Sequence, residues 1–315
     1  MRELGVLMTN NRSTALPRVE IPVLRIDGEL GTVATAVVNL IERVAHQKLS
    51  AQHAGLPSFL TTTVRVSEAT WKAVLHLTLN VNHGERPPAT LAVAVTPMTR
   101  TILESLMAVV FVLDAPADRL DWYHRAGWRD EAERLARLSQ KHSSAPEWGP
   151  YLEGIAEWLA LHNKDLGISA SEQLDPKSAT DRWKNINRGG YWPNPGKMRG
   201  LTTDPVRANF LTFLNTWFYS GLSGDSHLSY MGLVRRGSVL RDEHAGLLRD
   251  NYLSKAVLDA LTLWLSLLSE IVVSASLTSQ VQPIRAAWDL VKPHLNAEEV
   301  WVQRYDALLV SGAQA

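Results

Sequence analysis

The sequence predicts an all-α protein, a single large bundle of about ten helices with at most minor short strands. Three observations carry this. Apolar residues recur at helical spacing in the long segments, as in GTVATAVVNLIERVAHQKL at 31–49. Thr96 followed by Pro97 is a helix-start signal, because proline in the first turn loses no hydrogen bond. The apolar run 106–113 is too short to cross a bilayer and reads as a helix buried on all sides.

Residues 1–28 form an irregular N-terminal segment, with little apolar content in NNRSTALPR. Residues 29–310 form the helical domain. After the helix at 31–49, the β-branched residues of LTTTVRV predict a short strand. Ser67 then caps a helix through WKAVLHLTLNV, and Gly84 to Pro88 break the chain. The next helix opens at Thr96 and Pro97, with Asp114 and Pro116 marking its stop. A charged amphipathic helix covers 122–142, and another follows through YLEGIAEWLALHNK. Residues 166–205 are the least regular interior stretch, a linker or an ordered loop over a pocket. Their aromatics favour the ordered loop, because a linker has no need of them. Helix resumes near Val206 and runs through NFLTFLNTWFYSGL, and another starts at Asp225 or Ser226. Residues 238–280 hold one long helix or two. Pro283 and Pro293 frame a short helix, and a last one, capped by Asn296 with Glu298 and Glu299 at its positive end, closes the fold.

Of the 315 residues, 45% are hydrophobic and 20% charged, a globular balance. Lys plus Arg and Asp plus Glu both number 32, so no long-range field gathers nucleic acid or an anionic membrane. Cysteine is absent, which excludes disulfides, thiolate nucleophiles and sulfur-ligated zinc. The N-terminus lacks an early apolar run, so a cytoplasmic location is expected. The apolar segment 260–280 carries one charge, Glu270, but also five serines and two threonines, and no flanking cationic cluster. It reads as a core helix, and no membrane partner is expected. The eleven tryptophans follow no repeat and read as large core fillers.

Arg100 and Glu104 are the only charges between Arg86 and Asp114, and their spacing places them on one helical face. They form an intrahelical ion pair, or an anion-binding arginine with a carboxylate that orients it or handles a proton. Glu270, the second lone carboxylate in an apolar helix, reads as a structural partner or as an answer to Arg100 or His227. WFYSGLSGDSHLSYMG, at 217–232, places Tyr219, Ser223 and His227 four residues apart, one stripe if the helix is continuous. His227 suits general acid–base work because its ordinary pKa lies near neutrality. These residues serve equally for packing and capping. No H-E-x-x-H spacing is present, and neither a metal nor another cofactor is expected.

RTILE together with YSGLSGDSHLS resembles an uncharacterised family of bacterial helical proteins with Arg-x3-Glu and Tyr-x3-Ser-x3-His signatures. The likeness covers about residues 95–275. That family is in turn distantly similar to HEPN-type bundles, some of which cut RNA or act in toxin and defence systems. The resemblance implies a polar site of Arg100, Glu104, Tyr219, Ser223 and His227 acting on RNA or a nucleotide phosphate. HEPN-type nucleases carry Arg-x4–6-His on one late helix. Nothing around His227 fits that pattern, although Arg119–His124 and Arg137–His142 have the spacing.

A basic aromatic stretch adds a second candidate. Arg182, Lys184, Arg188, Lys197 and Arg199 have no acidic residue among them within the span 182–199, and Trp183, Tyr191 and Trp192 are interleaved. Phosphate contacts plus base stacking call for this mix. The alternative is a solvated loop whose aromatics pin it to the body. The partners expected are therefore RNA or a nucleotide. The competing function is a non-enzymatic helical interaction or scaffold protein, with a protein partner or a second copy of the chain.

Overall fold

The computed structural model describes residues 23–79, 89–142, 144–174, 192–226, 234, 237, 245–294 and 297–311. Among these residues the protein is all-α, with eleven helices and no strand. The first, α1, covers 23–50 as Val23–Leu40, a π turn Ile41–Ala45 and His46–Ser50. Helices α2 and α3 are Leu56–Leu79 and Ala89–Val112. Helix α4 is Pro116–His142, and α5 is Gly149–Asp165, entered through a 3-10 turn Pro146–Trp148. Ala170–Leu174 and Pro195–Leu201 are α6 and α7. Helix α8 covers 205–226 as Pro205–Leu214, a π turn Asn215–Tyr219 and Ser220–Ser226. Helices α9 and α10 are Ala245–Ser274 and Val281–Val291. The last, α11, covers 297–311 with a π turn at Trp301–Tyr305.

Several expectations change in detail. The β-branched run 61–66 is helical, not a strand. Leu56, Leu60, Val64, Ser67, Trp71, Val74 and Thr78 are buried at steps of three or four. Burial of that stripe outweighs the weak strand preference of threonine and valine. Helix α1 already begins at Val23, inside the segment expected to be irregular, and Ile26 and Leu30 are fully buried. Pro97 does not open α3 but sits within it, on an exposed position where the missing N–H costs least. Within 166–205 the structure adds α6 and α7. ATDRWKNI and Asn296 lie outside the described residues.

The described residues divide into two compact units. Unit 1 draws on 1–45, 60–106 and 216–315, and unit 2 on 46–59 and 107–215. In unit 1, α9 packs against α1, α10 and α11. From Ala256 to Val272 every residue of α9 is buried. Such a helix is apolar all round because it is surrounded all round. Among the described residues it is one of two helical segments long and apolar enough to cross a membrane. In an 18-residue stretch of 252–274, 94% of the residues are buried inside the protein, against 61% in one of 93–112. In unit 2, α4 and α5 pair around Trp128, Ala132, Leu159 and Ile168, with Leu135, Ile155 and Leu166 against them. Helices α7 and α8 start on proline after a polar cap. Asn194 accepts from the Lys197 amide, and Asp204 from those of Val206 and Arg207.

Candidate functional site

Helix α3 brings Arg100 to the π turn of α8. The Arg100 Nε donates to Glu104 Oε1 at 2.8 Å, and Nη2 donates to the Tyr219 hydroxyl at 3.1 Å. The guanidinium carbon lies 5.1 Å from the Tyr219 ring centroid. The Arg100 side chain is 15% exposed and that of Glu104 is 45% exposed. Glu104 thus neutralises Arg100 from the solvent side of the same helix, at the i, i+4 spacing readable from the sequence. Tyr219 belongs to the π turn, where the wider helical loop re-aims successive side chains, a device common at functional sites.

Among the described residues the Tyr219 hydroxyl has one partner, from which it accepts. Its own proton therefore remains available for donation. Ser223 lies one turn further, half-buried, and the helix continues to Ser226. The structure thus joins Arg100, Glu104 and Tyr219 and places Ser223 a turn beyond on the same helix. His227 lies outside the described residues. So do Arg182, Trp183, Lys184, Arg188 and Tyr191 of the basic stretch. Trp192 is described and half-buried, edge-on to Tyr123 at 4.9 Å and to Phe111 at 5.5 Å. Those contacts dock it on unit 2. Lys197 and Arg199 project from α7 as exposed residues.

Glu270 does not answer Arg100. Arg304 of α11 takes it bidentately, Nε to Oε1 at 2.7 Å and Nη2 to Oε2 at 3.0 Å. The Tyr305 hydroxyl approaches Glu270 Oε1 at 3.1 Å and the Ser266 carbonyl at 3.0 Å. Burial first, then the Glu270 charge, push the Tyr305 hydroxyl well above its ordinary pKa, so it stays a donor. Trp288 covers the group, stacked on Tyr305 at 5.3 Å and bonded to Ser269 at 3.0 Å.

The sequence reading missed a second buried pair. Arg119 of α4 meets Asp114 at 2.5 Å, with side chains 3% and 1% exposed. Arg119 also donates to the Phe111 and Leu201 carbonyls, and its guanidinium covers the Phe111 ring at 4.1 Å. Asp114 accepts from the Thr203 amide and hydroxyl and from the Asp204 amide, each within 2.8–2.9 Å. Burial pushes its carboxyl up, but the Thr203 and Asp204 donors and Arg119 together hold it below the ordinary value. Asp114 looked like a helix stop, and nothing in the local pattern pointed across about ninety residues to Thr203.

The two Arg-x4-His spacings are also accounted for. Arg119 is committed to Asp114 and two carbonyls, while the His142 ring stacks on Trp148 at 4.1 Å. A histidine group was missed as well. His53 meets Asp121 through Nε2 at 3.2 Å and accepts the Gly55 amide on Nδ1 at 3.0 Å. His124 lies beside it at 5.9 Å, its pKa lowered by burial and then by the charge of His53. A Cβ on Gly55 would come within 2.9 Å of the His124 ring, so a larger residue here displaces that ring. No group of three or more metal-ligating side chains forms among the described residues. Comparison with protein-family models, curated proteins and solved structures finds no match for the chain.

Proposed function

We propose that the Arg100–Glu104–Tyr219 cluster binds a phosphate group of RNA or a nucleotide. The observation behind this reading is the Tyr219 hydroxyl, which accepts from Arg100 and keeps its own proton to donate. A cationic guanidinium and a phenolic donor held together suit an anionic oxygen. Ser223 offers a further hydroxyl one turn away. Proton transfer to or from the phosphate is assigned to His227, four residues beyond Ser223. The basic stretch 182–199 supplies additional phosphate and stacking contacts, as an independent determinant.

The test is fluorescence anisotropy with short RNA and DNA oligonucleotides and with labelled nucleotides, at low and moderate salt. Tyr219→Phe keeps the ring and removes the donor, so it weakens binding roughly tenfold, as expected for one hydrogen bond to a charged group. Arg100→Ala weakens it further, and added salt weakens it with a shallow slope. His227→Ala leaves binding near normal and abolishes turnover of the bound substrate. Absence of binding at low salt, or binding indifferent to Tyr219→Phe and Arg100→Ala, overturns the reading. The cluster is then a clamp between α3 and α8 in a helical interaction protein. That second reading draws on large apolar side chains exposed on α5, among them Trp158 and Leu161.

A further inference from the structure

We propose that the outer face of α5 pairs with α5 of a second copy of this chain, antiparallel and about a two-fold axis. The inner face of α5 is occupied by Leu159, Ile155 and Leu166 in the unit 2 core. Outside it runs a second apolar stripe, Tyr151, Gly154, Trp158 and Leu161, at steps of three, four and three. Tyr151 is 43% exposed, Trp158 41% and Leu161 72%. That spacing is the seam of a helix pair, not the scatter of apolar residues found on any surface. A Cβ placed on Gly154 meets nothing within 4 Å, so the stripe is open at that point.

Charge selects the occupant. Glu157 and Lys164 are exposed on the same edge of the stripe, seven residues apart, and neither has a partner among the described residues. When Trp158 of one copy packs beside Leu161 of an antiparallel second copy, each Glu157 falls against the other copy's Lys164. Both pairs form together, because the two-fold axis repeats each contact. A parallel pairing opposes Trp158 to Trp158 and leaves these charges without each other. The antiparallel arrangement also sets each helix's positive end against the other's negative end. The Trp158 ring already rests against His162 at 4.3 Å, so little side-chain freedom is lost on docking. One helix pair lies at the small end of specific interfaces, below about 1,200 Å² in total, so the dimer is weak and concentration-dependent.

Sedimentation velocity of the full chain, from low to high micromolar concentration, tests this. The expected result is a reversible rise from the 35.0 kDa monomer toward twice that mass, reduced by added salt. Leu161→Glu abolishes the rise. Glu157→Lys and Lys164→Glu each weaken it about tenfold or more, and the double exchange restores it. Melting temperatures of these variants, measured at the lowest concentration, stay within a few degrees of the parent. A monomer at every concentration overturns the proposal. So does a dimer that survives Leu161→Glu, or single charge reversals that the double exchange does not rescue.

Discussion

The two buried ion pairs, Glu270–Arg304 in unit 1 and Asp114–Arg119 in unit 2, are equally hidden from solvent but differently partnered. Glu270 sits within a long apolar helix, and its contacts are side chains of α11. Asp114 sits just past the end of α3, and three of its four contacts come from residues 203 and 204, two of them backbone amides. Arg119 likewise spends two donors on backbone carbonyls. The first pair joins helix to helix, and replacing both partners by apolar side chains of similar volume is expected to cost little. The second pair satisfies main-chain groups that no apolar residue can satisfy. A buried charge pair is therefore not one kind of object. Its worth depends on what is left without a partner when it goes.

The largest effect expected follows from breaking the unit 1 pair on one side. Arg304→Met leaves Glu270 uncompensated in the core and destabilises by about 3–5 kcal/mol. Glu270→Leu combined with Arg304→Met recovers most of that loss, because Tyr305 keeps the Ser266 carbonyl as its acceptor. Urea denaturation of both variants, with the midpoint as readout, decides the matter. A double variant as weak as the single one would erase the distinction between the two pairs.

The next effect lies in unit 2. Asp114→Asn removes the charge facing Arg119 and costs about 2–4 kcal/mol near neutrality. Here the apolar double replacement, Asp114→Leu with Arg119→Met, recovers nothing, since the amides of Thr203 and Asp204 lose their acceptor. The Asp114 carboxyl is held below its ordinary pKa in the folded protein. Its contribution is therefore complete above the unfolded value of about 4 and fades as the pH falls through the lower folded value. The stability gap between the parent and Asp114→Asn should shrink below about pH 4. A gap that stays constant down to pH 2 would contradict the assignment.

The smallest effect concerns the Arg100–Glu104 pair. Glu104 is nearly half exposed, so Glu104→Gln should cost about 0.5 kcal/mol or less, and less still at high salt. A loss above about 2 kcal/mol in thermal denaturation would place this pair with the two buried ones and argue for a structural role.

The sequence made the helices legible where a strong period met a clear stop. The charged helix α4 and the long α9 are examples. It misread 61–66 because β-branched residues announce a strand locally, while the buried stripe that overrides them is spread over six turns. At the candidate site, Arg100 with Glu104 was readable, since both lie on one helix within one turn. The joining of Tyr219 to Arg100 was not, because the residues are 119 apart and the π turn that aims Tyr219 has no sequence signal.

The sequence by itself determined that this chain is helical, free of cysteine chemistry, balanced in charge, and sparing with charges in its most apolar helices. Those properties follow from local period and composition. Only the tertiary structure decided which partner each lone charge takes. Glu270 goes to Arg304, and Asp114 to Arg119 and the 203–204 amides. The choice rests on desolvation, which punishes any buried charge left alone but does not encode in the local sequence which distant helix will supply the counter-charge.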